Sequence, residues 1–204
     1  MTGHAETNRV EAFSDGVIAI VITLLVLEVK VPHVQGGDAE LWHAIAELTP
    51  VIASWIISFL FVLVFWVNHH YFFGQLEKAD RGLLWLNGLF LLCISFTPFP
   101  TALAGEYFGA RPAMVLLSAA MFLTALAFSL MRWYAGSVGR LMDPAISASQ
   151  LDAGLRRSLV GPTLYAIAIV LAFLWPIGAM IIQVLVPLIF FLRSPAVGAA
   201  NPAS

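Results

Sequence analysis

The chain has 204 residues, 60% of them apolar and 11% charged, and its ten basic and twelve acidic side chains leave a net charge of -2. Soluble domains carry about a quarter charged residues, so this composition excludes a water-soluble globule and predicts an all-α integral membrane protein. With so few basic residues no nucleic-acid partner is expected.

Residues 1–8 are polar and not basic, with no cleavage site after the apolar run that follows; a disordered lead and a retained first helix are expected. That helix is read over residues 9–31. It opens on Arg9, Glu11, Ser14 and Asp15 and passes without a break into aliphatic residues. At about 100° per residue, Gly16, Ile20, Thr23, Leu24 and Leu27 share a face about 100° wide, while Asp15 lies about 140° round from Ile20. Asp15 is therefore expected to pack inward within the subunit, and the Ile20 stripe to face something else. Periodicity alone favours lipid or a neighbouring helix as that something.

Residues 33–43 read as an exposed loop rich in Gly, Asp and Glu. A second helix follows over 49–73, ending in Trp66, Asn68, His69 and His70 among aromatics, and after a charged turn a third spans 83–103. Asn87 lies near the start of the third, and Pro98 and Pro100 distort its end. Gly105 and Gly109 have GxxxG spacing but straddle a polar loop, so little helix packing is read from them. A fourth helix occupies 112–131, and residues 135–157 read as a mobile loop with room for a short surface helix. The apolar run 159–192 exceeds one span, so a fifth helix (159–175) and a sixth (178–192) are expected around Pro176 and Gly178, before a polar tail over 194–204. The chain is thus one six-helix transmembrane domain over 1–204.

Six spans place Arg9, Lys78, Arg81, Arg132, Arg140, Arg156, Arg157 and Arg193 on one side and only Lys30 and Arg111 on the other. The positive-inside rule then puts both termini in the cytoplasm of a multi-pass cell-membrane protein. Cys93 is the single cysteine, so no intrachain disulfide forms.

This topology brings the polar residues of three helices to one depth. Because an ionised carboxylate near hydrocarbon is costly unless paired, a structural lock is expected, hydrogen-bonded among Arg9, Ser14, Asp15, Trp66, His69 or His70 and Asn87, with Phe13 included in it. A proton-coupled transporter using Asp15, His69 and His70 is the alternative; it is weaker because no ionisable chain continues along the first helix past Asp15. No internal repeat marks a transporter's two halves. Adjacent His69 and His70 face different ways and lack metal-site spacing, so no enzyme is expected.

Phe13, Ser14 and Asp15 after Arg9, the Asn68 to His70 triplet and the stretch FTPFPTALAGEY over 96–107 resemble the transmembrane-protein-175 family of potassium-permeable channels. One FSD motif makes the chain similar to the short prokaryotic members, and the resemblance implies a homotetramer in the lipid bilayer whose first helices line the pore. It further implies a hydrophobic constriction at Ile20, Leu24 and Leu27 and a selectivity role for Thr23. Potassium and caesium are the implied permeant ions, with no cofactor and no metal beyond transient K+ in the pore. No TVGYG-like filter occurs, so modest selectivity is expected. A helical threonine often bonds the carbonyl one turn back, here Ala19, which would leave Thr23 less to offer an ion.

Overall fold

The computed structural model describes residues 2–192; the expected polar tail and Arg193 lie outside the described residues. The first helix, α1 (Thr2–Leu24), begins seven residues before the expected start, at Thr2 instead of Arg9. Residues 2–8 are helical because the inward stripe of α1 continues through Thr7, one heptad before Ser14, and both are buried. A single 3-10 turn, Leu25–Glu28, finishes the span, and the Lys30 ammonium donates to the Leu27 carbonyl at 2.7 Å. The tighter turn and the lysine satisfy carbonyls that a helix end leaves bare.

Where a loop was expected, α2 (Asp38–Glu47) forms instead. Asp38 and Glu40 sit in its first turn, where the helix dipole favours negative charge, and Leu41, Trp42 and Ile45 are exposed, which suits a helix lying in the membrane interface. α3 (Thr49–Phe73) carries Pro50 in its first turn and ends at Gly74. Asp80 then caps α4 (Arg81–Ser95), its carboxylate accepting from the Leu83 amide at 2.8 Å.

The expected third helix is two helices, α4 and α5 (Pro98–Glu106), separated at Phe96 and Thr97. Pro98 has no N–H to continue the α ladder and restricts the residue before it, so the chain bends and restarts. Together the two cover one span, Arg81–Glu106. At their end Gly105 meets α3 so closely that a Cβ would lie 2.9 Å from Val51 Cα, whereas Gly109 stands in a turn at φ 74°. The two glycines share a spacing but not a role.

α6 (Arg111–Trp133) continues into a π turn, Tyr134–Val138. It is the central helix: 61% of the residues in its apolar window are buried, against 22% for the first span. Residues 139–147 are no free loop. Glu77 N bonds Leu141 O and Asp143 N bonds Gln75 O, both at 2.9 Å, which pins this segment to the link between α3 and α4. Ser147 and Gln150 then form a capping box that starts α7 (Ala148–Leu174) eleven residues earlier than expected. α8 (Pro176–Leu192) follows directly after Trp175, and at 17 residues it is somewhat short for a hydrocarbon core of about 30 Å.

Five helices are long and apolar enough to cross a membrane, α8 adds a shorter apolar one, and no strand forms among the described residues, so this is an all-α multi-pass membrane protein. Phe61, Phe65, Phe72, Phe90, Phe128 and Tyr165 join α3, α4, α6 and α7 through ring centroids 4.7 to 6.0 Å apart. In lipid, where burial against hydrocarbon gains little, such close packing holds helices together. α1 lies at the edge of the assembly, packed on α3 and α4 by one face only.

Candidate functional site

The buried face of α1 is Ser14, Ile18, Val21 and Leu25, all at 3% exposure or less. Its opposite face is uncovered: Phe13, Gly16, Ile20, Thr23, Leu24 and Leu27 are all exposed. Arg9 and Phe13 belong to this outward face, although the sequence reading grouped them with the polar lock. Both lie within about 20° of Ile20 in helical projection, so α1 cannot turn them toward α3 while it buries Ile18. Phe13 is 66% exposed, and Arg9 is exposed with no ion pair among the described residues.

The remaining polar residues separate into a buried chain and an exposed ladder. In the chain, His69 Nε2–H donates to Asn87 Oδ1 at 2.9 Å, Asn87 Nδ2 donates to Ser14 Oγ at 2.9 Å, and Ser14 Oγ donates to the Val10 carbonyl at 2.8 Å. Three helices are thus tied by side chains that are at most 3% exposed. His69 is sandwiched between Phe73 and Phe90, with ring centroids 4.3 and 5.5 Å away. Asn87 suits the joint because an amide donates and accepts at once; the far ring nitrogen of His69, Nδ1, is buried with no hydrogen-bond partner among the described residues.

The ladder runs along the adjacent edge of α1 and α3. Trp66 Nε1 donates to Asp15 Oδ1 at 3.0 Å, and one turn away His70 Nδ1 meets Glu11 Oε1 at 2.8 Å. The helices are antiparallel, so stepping four residues back on one and four forward on the other gives the next rung. Asp15 thus meets another helix of its own subunit as expected, but from a half-buried flank and not from the core, and the indole N–H offsets part of the cost of its charge. Glu11 was absent from the expected set. Its signal was its spacing: Glu11 and Asp15 are four apart, as are Trp66 and His70, and side chains so spaced share a helix face.

Thr23 Oγ1 lies 3.0 Å from the Ala19 carbonyl and 2.9 Å from that of Ile20. The expected backbone bond forms, but its consequence differs from the expectation. The hydroxyl proton is committed to the backbone, so toward the exposed side the oxygen is an acceptor only, which is the chemistry a cation needs. The outward face thus offers one hydroxyl acceptor among aliphatic residues.

Comparison with known proteins returns the same region. Residues 9–98 match the family model described as the endosomal/lysosomal potassium channel TMEM175. The chain is 40% identical over 172 residues to a potassium channel of Streptomyces collinus, covering 82% of this chain and 83% of that one. It is also 40% identical over 175 residues to a potassium channel of Chamaesiphon minutus, covering 84% and 86%. The crystal structure of a lysosomal potassium-selective channel TMEM175 homologue from Chamaesiphon minutus superposes with a TM-score of 0.83 at 36% identity, covering 94% of this chain and all of that one.

Proposed function

Because this chain belongs to the TMEM175 family of potassium channels, we propose that it is a potassium-permeable channel in which the outward face of α1 lines the pore of a homotetramer. The observation that carries the reading is the division of α1 into a packed face and an uncovered one. A helix at the edge of its own subunit encloses nothing, so a conduit along it requires several copies around a symmetry axis. Each subunit then contributes one six-helix unit.

In this arrangement Ile20, Leu24 and Leu27 form stacked hydrophobic rings at successive turns. When narrow, such rings expel water and block ions; a small widening lets water and cations through. Thr23 lies between the first two rings and presents its acceptor oxygen to a partly dehydrated ion. A ring of flexible hydroxyls discriminates potassium from sodium less than a carbonyl cage does, so caesium permeates as well and selectivity is modest. The buried Ser14, Asn87 and His69 chain and the Asp15 and Trp66 rung hold α1 in the rotation that presents this face. The positive-inside rule, applied to the basic residues at the α1 start and at the α3–α4 and α6–α7 links, puts both termini in the cytoplasm.

Ion flux into proteoliposomes, with potassium, caesium and sodium gradients compared and no imposed proton gradient, tests this. Passive flux that favours potassium and caesium supports the channel. Flux that requires a counter-movement of protons would replace it with a proton-coupled transporter. Against that second reading, Asp15, His69 and His70 each bond a different partner, and no ionisable residue lies on the first span between Asp15 and Glu28.

A further inference from the structure

Away from α1, a cavity of about 320 Å³ lies among α3, α6, α7 and α8. Its wall changes character along its length. Toward the α3 C-terminus it is lined by Asn68, Gln75, Gln150, Arg132 and Arg157, and further along the helices by Phe61, Val186, Phe190 and other apolar side chains. Among the described residues no carboxylate lines it. The guanidinium groups of Arg132 and Arg157 thus lie at one end of this chamber.

Arg132 is built into this position. One terminal nitrogen donates to Gln75 Oε1 at 3.1 Å, and the guanidinium carbon stands 5.7 Å from the centre of the Phe72 ring. Its back lies against Gly154 so tightly that a Cβ there would clash with the guanidinium. Yet among the described residues Arg132 Nε is buried with no hydrogen-bond partner, and so is the hydroxyl of Tyr165, which is 1% exposed and lines the same cavity. Buried donors left unsatisfied in native proteins are uncommon and call for an acceptor.

We propose that this cavity binds an anionic phospholipid from the leaflet at that end of the helices, with its phosphate at Arg132 and Arg157 and one acyl chain among the aromatic and aliphatic residues. Charge, depth and shape agree on this occupant. The basic end sits where the spans reach the headgroup layer, since the cavity is bounded there by the α3 C-terminus and the first turns of α7. A phospholipid brings acceptor oxygens at two depths, the phosphate and the glycerol esters, followed by hydrocarbon, in the order that the wall presents its partners. An anionic headgroup also sets a net negative charge beside Arg132, which a zwitterionic one does not.

The test is native mass spectrometry of the full-length protein purified in detergent, with phosphatidylglycerol, phosphatidylcholine or inorganic phosphate added in turn. Phosphatidylglycerol should be retained about tenfold more strongly than phosphatidylcholine. Arg157→Gln removes one charge from the rim, and Ala153→Glu adds a carboxylate to the same lining; both positions are exposed, so neither disturbs the core. Each variant should lose most of the phosphatidylglycerol preference while melting as the unmodified protein does. Equal retention of the two lipids by the unmodified protein overturns the proposal, whatever the variants do. Displacement of phosphatidylglycerol by inorganic phosphate at equal concentration overturns it too, by showing a free-anion site.

Discussion

Ile18 and Ile20 are two residues apart on α1 and face opposite ways, 1% and 60% exposed. One methyl-rich side chain packs the subunit and, in the proposed channel, the other lines the pore, so equivalent substitutions should separate fold from conduction. Ile20→Asn should raise potassium flux about tenfold with an unchanged melting temperature, because a polar ring stays wet at widths where an aliphatic ring dries. Ile18→Ala should instead cost about 2 kcal/mol of stability through the cavity that it leaves. Flux assays and thermal melts of both variants check this; an Ile20 variant with unaltered flux removes that residue from the constriction.

The acceptor oxygen of Thr23 predicts a split between two small substitutions. Thr23→Val keeps the shape and loses the oxygen, so the potassium to sodium permeability ratio should fall toward one. Thr23→Ser keeps the oxygen and should stay close to the unmodified protein. Reversal potentials under bi-ionic gradients read the ratio directly, and a valine variant with full selectivity would assign discrimination to other groups.

Asn87 joins two polar groups that have no other side-chain partner. Asn87→Leu strands the His69 N–H and leaves Ser14 with only its backbone bond, at a cost of about 2 kcal/mol. Thermal unfolding in detergent measures it. His69→Ala in the Asn87→Leu background should then cost far less than it does alone, because the bond it would break is already gone.

The Asp15 and Trp66 rung sits at the edge of the subunit, so its loss should act on assembly and on the rotation of α1. Asp15→Ala and Trp66→Phe should each lower the tetramer fraction on size-exclusion chromatography, and the double variant should be no worse than either single one. Normal tetramers with normal current in Asp15→Ala would rule out this role.

Two glycines should behave in opposite ways. Gly105→Ala forces a methyl group against the Val51 backbone and should loosen the contact of α5 with α3, lowering the melting temperature. Gly16 has nothing within 4 Å of an added Cβ in the single subunit. If its face lines the pore, Gly16→Phe should leave the subunit folded and abolish flux. A Gly16→Phe protein that conducts normally would place that face outside the pore.

Local chemistry alone determined much of this protein. The excess of apolar residues dictated a membrane protein, and the 100° step of a helix already separated Ile20 from Asp15, since both depend only on neighbours along the chain. The same arithmetic, carried two and three turns back, would have placed Phe13 and Arg9 with Ile20. Helix starts at Asp80 and Ser147 and the break before Pro98 are also local, set by capping residues and a missing N–H, although the sequence reading ran one helix through Pro98 and a loop through Ser147. Tertiary structure alone decided which polar groups meet. Asn87 reaches Ser14 across 73 positions of sequence and His70 reaches Glu11 across 59. Those pairings depend on how far α1 slides along α3, and a shift of one turn would re-pair every rung without changing any helix. The cavity around Arg132 has the same origin: its wall is assembled from four helices, and only their packing sets Arg132 of α6 beside Arg157 of α7 and adds the apolar side chains of α3 and α8.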